Sequence, residues 1–120
     1  MVNPDRNLVV VLVTFPSEEA AAKVARALVE ARLVACVNLV PGVRSIYRWE
    51  GAVQEDTEVL GIIKTTADRR DDLVSALKGS HPHDTPEIVT LLPAHVEERY
   101  LAWAQESVHS GNDDEGEAQA

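Results

Sequence analysis

The sequence predicts an α+β domain of the ferredoxin-like βαββαβ class with an added C-terminal helix, on three observations. Apolar, β-branched runs fall at 8–15, 33–51, 57–66 and 87–93. Segments of helical spacing bounded by capping residues lie at 18–32, 66–79 and 95–108. The resulting order, βαββαβα, with right-handed crossovers brings the first two helices to one face of a four-stranded antiparallel sheet.

Each element has its own signal. "LVVVLVTF" (8–15) is short and β-branched, and "PSEE" (16–19) then offers Ser17 as an N-cap and two acids for the first helical turn. The Ala-rich stretch 18–32 repeats Val24, Leu28 and Ala31 at helical spacing, so its small side chains let it lie close to a sheet. "LVACVNLVPGVRSIYRWEG" (33–51) reads as a long strand bent or bulged at Pro41-Gly42. "TEVLGIIKTT" (57–66) is its antiparallel partner, with the polar 49–56 as connection. A second helix starts near Thr66 or Asp68 and stops at Gly79 as the C′ residue. "EIVTLLP" (87–93) supplies the fourth strand, and "HVEERYLAWAQESV" (95–108) a last helix with Tyr100, Leu101, Ala104 and Val108 on one side.

In "LVACVNLV" both alternating sets are largely apolar, so this strand is expected to be buried on two sides. One short helix is too small to cover the second face, and a further copy of the chain is the expected cover. Residues 1–109 are read as one domain, and the acidic 110–120, with no apolar residue but alanine, as a disordered tail.

The net charge is −9, of which the tail acids Asp113, Asp114, Glu115 and Glu117 contribute four, leaving −5 on the domain. No basic stripe is present to neutralise phosphates, which argues against nucleic acid as a partner. The longest apolar run, 8–13, is far below a membrane span, so no membrane association is expected. Cys36 is the only cysteine, fitting a reducing compartment, and the cytoplasm is the expected location.

The stretch "SHPHDTPEI" (80–88) concentrates potential ligands. Pro82 and Pro86 hold His81 and Thr85 away from helical angles, and in an extended chain His81 and His83 face the same way. The two imidazoles, with Asp84 or Glu87 as oxygen donors, suit copper, zinc or nickel; the alternative is a stiff helix-to-strand connector. Cys36 is either a small buried hydrophobe or a soft ligand. Asn38, Glu58 and Lys64 are polar residues in apolar strands that need partners, either structural or pocket-lining. Tyr47 with Trp49, and Tyr100 with Trp103, form two aromatic pairs on a strand face and a helix face. No P-loop, G-x-G-x-x-G, H-E-x-x-H, CxxC or G-x-S-x-G is present.

"ARLVACVNLVPGVRSIYRWEG", "QEDTEVLGIIKTT", "HPHDTPEI" and "YLAWA", in that order, closely resemble the CutA family of divalent-cation tolerance proteins over about residues 8–107. The resemblance implies a ferredoxin-like subunit in a compact trimer, similar in architecture to PII signalling proteins, with copper binding as the activity usually attributed to the family. It carries Cys36 and His81 over as candidate ligands, and matches Tyr47, Trp49, Glu58, Lys64, Glu87, Tyr100 and Trp103 to positions around clefts between subunits. This chain departs where relatives commonly read "HPYEVPEI", having His83, Asp84 and Thr85, and His83 is expected to strengthen a metal site.

The expectation is a cytoplasmic homotrimer that binds copper or another divalent cation and is not an enzyme. His81, His83, Asp84, Glu87 and Cys36 are its metal candidates. The alternative is a PII-like sensor that takes a metabolite or nucleotide in intersubunit clefts and signals to a protein partner. A Cys36 hydrolase ranks behind both for want of an activating base.

Overall fold

The computed structural model describes residues 4–81 and 85–110. A 3-10 turn, Pro4–Arg6, leads into β1 (Leu8–Phe15), α1 (Glu18–Glu30), β2 (Cys36–Trp49) and β3 (Ala52–Thr66). A second 3-10 turn, Ala67–Arg69, precedes α2 (Arg70–Ser80), followed by β4 (Ile88–Leu91) and α3 (Glu98–Ser107). The sheet order is β2-β3-β1-β4 with every pairing antiparallel, the α+β arrangement expected. The disordered-tail expectation falls mainly on residues 111–120, outside those described.

Alternation assigns the two faces. Val11, Val13, Phe15, Val59 and Ile63 point to one side and are buried against Leu28 of α1 and Leu73 and Leu77 of α2. Their neighbours in register, Val10–Lys64–Cys36, Leu12–Ile62–Asn38 and Thr14–Leu60–Val40, form rows on the other side. There α3 covers only one end, through Ala104 and Val108 packed on Leu8 and Ala35. Apart from the buried Thr14, the remainder is half-buried or open, with Val40, Val89 and Leu91 41%, 44% and 46% exposed. Among the described residues the second face therefore lacks the cover its composition calls for.

Local chemistry sets the boundaries. Ser17 is the N-cap of α1, extended at φ −150°, and its side chain accepts from the Ala20 amide at 3.1 Å. The register between β2 and β3 shifts between Val40 and Val43, where Gly42 takes φ +71°. A bulge thus occupies Pro41-Gly42, which supply no ladder donor and a left-handed backbone respectively.

Three boundaries differ from expectation. The connection of the hairpin is only Glu50-Gly51, at φ +49° and +81°, with Trp49 paired to Ala52. β3 accordingly starts at Ala52; the polar run before Thr57 is strand because this two-stranded arm meets solvent on both faces. Gly79 lies within α2, and His81 is the C-cap instead, extended at φ −85°, ψ 137°. Pro82 next in sequence imposes that conformation, so the proline rather than the glycine ends the helix. α3 begins only at Glu98, because Glu97 at the N-cap accepts from the amides of Arg99 and Tyr100. Those two amide bonds, Arg99 first, hold the Glu97 carboxyl below its usual range.

Candidate functional site

The sheet's register brings two groups of chemically capable side chains to opposite ends of β1. At the C-terminal end of β1 lies an open cleft of about 880 Å3, lined by Thr14, Tyr47, Trp49, Asp56, Glu58, His81 and Glu87 among others. Glu58 pairs with Val43 just past the bulge, and Tyr47, Trp49 and Asp56 share its side of the arm. The bulge therefore aims the arm's acids and aromatics at the start of the segment that carries His81 and Glu87.

His81 is fixed on two sides. Its Nε2 lies 2.6 Å from the Thr14 carbonyl oxygen, and its ring stacks on Phe15 with centroids 5.8 Å apart and planes 25° from parallel. A carbonyl only accepts, so Nε2 carries a proton and donates it to Thr14. Phe15 in turn occupies space left by Gly61: a Cβ there would stand 3.1 Å from the Phe15 ring. The glycine of β3 thus sets the seat of the histidine ring.

Tyr47 donates a hydrogen bond to Asp56. That bond, more than desolvation or the charges of Asp56 and Glu58, raises the Tyr47 pKa and keeps the phenol a donor. Arg44, also at the cleft, pairs with Glu55 at 2.6 Å on the exposed arm.

The second group lies on the open face beside α3. Cys36 and Lys64 are register partners, Lys64 donates to the Asn38 side-chain oxygen, and Cys36 Sγ is 3.5 Å from the Tyr100 hydroxyl. Burial first, then the bond to Cys36, pushes the Tyr100 pKa up to about 12. Tyr100 packs on Trp103 with centroids 5.4 Å apart.

Of the residues singled out in the sequence, His81, Glu87, Tyr47, Trp49 and Glu58 line the cleft, while Cys36, Lys64, Tyr100 and Trp103 stand apart from it. Cys36 is in register with Val10, and His81 is bonded at Thr14, four strand residues or about 13 Å further along. His83 and Asp84 lie outside the described residues. Among the described residues no three metal-ligating side chains converge. Asp56 went unmarked in the sequence because it lies in the polar stretch 49–56, which has the composition of a connection.

A family model described as CutA1 divalent ion tolerance protein matches residues 9–107. The chain is 52% identical over 98 residues to the divalent-cation tolerance protein CutA of Thermus thermophilus, covering 82% of this chain and 95% of that one. It is 41% identical to the chloroplastic protein CutA of Arabidopsis thaliana, covering 85% of this chain but only 56% of the plant protein. A solved structure of the Thermus thermophilus divalent cation tolerance protein superposes with a TM-score of 0.82 at 50% identity, covering 85% of this chain and 99% of the other.

Proposed function

The chain belongs to the CutA1 divalent ion tolerance family, and from that premise we propose that it is a homotrimer that binds divalent metal, copper foremost, and serves metal tolerance by binding rather than by catalysis. One observation carries the reading: the imidazole of His81 and the carboxylates of Glu58 and Glu87 line one cleft. The bond from Nε2 to the Thr14 carbonyl is of the kind that fixes tautomer and ring orientation in metal-binding histidines. Nitrogen from His81 and His83 with oxygen from Asp84 or Glu87 makes a mixed donor set suited to copper(II) or zinc. Cys36, at the other end of β1, belongs to such a set only through another subunit. The incompletely covered second face supports the trimer, and an unpaired Cys36 supports a reducing compartment such as the cytoplasm.

Metal-stripped protein titrated with copper and zinc against a competing chelator, read by native mass spectrometry, tests this. Loss of a supporting outer-shell partner alone typically costs about 10–100-fold in metal affinity, so the His81→Ala/His83→Ala double variant is expected to lose more than about 100-fold. Unchanged affinity in a folded double variant overturns the reading.

A second reading, a PII-like sensor of an anionic metabolite or nucleotide, is favoured by the cleft's size. About 880 Å3 far exceeds one ion, falls in the range of small-molecule sites, and is lined by Tyr47, Trp49 and Arg44. A thermal shift produced by such a ligand without metal would support it over the metal reading.

A further inference from the structure

The carboxyl end of α3 is held in an unusual way. The last carbonyls of a helix lack partners within it, and α3 has no basic residue in its last turn to meet them. Two arginines from elsewhere in the chain, Arg6 and Arg32, do so, and a third, Arg69, holds the segment that follows the helix. Arg6 donates through Nη2 to the carbonyls of Gln105 (2.7 Å) and Val108 (3.0 Å), and Arg32 to those of Glu106 (2.5 Å) and Ser107 (3.2 Å). Arg69 donates to those of His109 (2.9 Å) and Ser110 (3.2 Å). Six consecutive carbonyls, 105 to 110, thus each accept from a guanidinium.

The contact is reciprocal. Gln105 donates its side-chain amide to the Arg6 carbonyl at 2.9 Å, and the His109 amide donates to the Arg32 carbonyl at 3.0 Å. Arg32 is left-handed at φ +57°, a conformation unfavourable for a residue with a side chain, and this turn presents both its carbonyl and its guanidinium to the segment. Arg6 and Arg69 are braced in turn by Asp68 at 3.1 Å and Asp72 at 3.4 Å. The positive groups also meet the negative end of the helix dipole.

The apolar hold on α3 is small, with Ala104 the only fully buried residue within the helix, Leu101 partly buried beside it and Val108 just beyond it. We propose that α3 is a lid on the second sheet face, latched by Arg6, Arg32 and Arg69, that opens as a unit while the sheet and the other two helices stay folded. Opening uncovers Leu8 and Ala35 and joins them to the row of Val10 and Leu12, so the latch sets how much apolar face the chain offers to a covering copy.

Hydrogen exchange followed by mass spectrometry tests the lid. Arg32→Gly removes one guanidinium at a backbone conformation that glycine adopts without strain. Exchange of the amides between 99 and 110 is expected to rise by about tenfold or more, with those of β1 and β3 unchanged. Arg69→Lys, which keeps the charge but loses the fork, is expected to raise exchange in the same amides by a smaller factor. The proposal is overturned if α3 exchange is unchanged in both variants, or if helix and sheet amides accelerate together.

Discussion

Replacing Ile63 with alanine is expected to lower the free energy of unfolding by about 3–5 kcal/mol, the upper part of the range for truncating a buried aliphatic side chain. Ile63 is 0% exposed on β3, in register with Val11 of β1 and Val37 of β2, in the cluster that α1 and α2 close from above. Neighbours on both adjoining strands are pinned by ladder hydrogen bonds, so the space left by the lost carbons collapses poorly and the cavity adds to the lost transfer energy. Urea unfolding of both proteins at one fixed protomer concentration, which holds the mass-action contribution of assembly constant, measures the difference. A loss below about 1 kcal/mol would mean that this site relaxes freely and that the helix face is not the packed core described.

Ile62→Asp is expected to do the opposite, leaving the subunit folded and dispersing the proposed trimer. Ile62 is the residue before Ile63 and points to the other side, where it is only half-buried within one chain, between Leu12 and Asn38. In an isolated subunit an aspartate there keeps access to water. Beneath a second copy it becomes a desolvated carboxylate, which costs several kcal/mol per site without a partner. Size-exclusion chromatography with light scattering should report subunit mass, with circular dichroism unchanged. A variant that retains the assembly mass of the parent would show that this row of the sheet is not the interface.

The pair Ile62 and Ile63 also shows how far sequence reading extends. The run "EVLGIIKTT" identified a strand, and the period of two separated its faces, because alternation is a property of the backbone alone. Which face takes the helices depends on the order β2-β3-β1-β4, which follows from the element order and crossover handedness. The arm from 43 to 58 was read too short for a physical reason: a strand exposed on both faces has no apolar alternation, and Gln54, Glu55 and Asp56 resemble a loop.

The candidate site divides in the same manner. His81 and Glu87 were legible as a cluster because they are near neighbours in sequence around two prolines. Their placement in one cleft with Glu58, and the bond from His81 to a carbonyl 67 residues away, required the folded chain. Cys36 was legible as a thiol, but its neighbour Tyr100 is 64 residues distant.

The sequence by itself determined the order of the elements, the cap at Ser17, the bulge at Pro41-Gly42, and the presence of a second apolar face. These depend on backbone geometry and on residues within about one turn of each other. Only the tertiary structure decided that His81 faces the arm, that Cys36 lies at the far end of β1, and that three arginines converge on the end of α3. Each of these joins groups 60 or more residues apart in most of its contacts, and side-chain type alone does not say which distant partner a guanidinium or an imidazole will meet. That is settled when burial of the apolar rows fixes the register of the sheet, and with it the position of every polar group carried on its strands and helices.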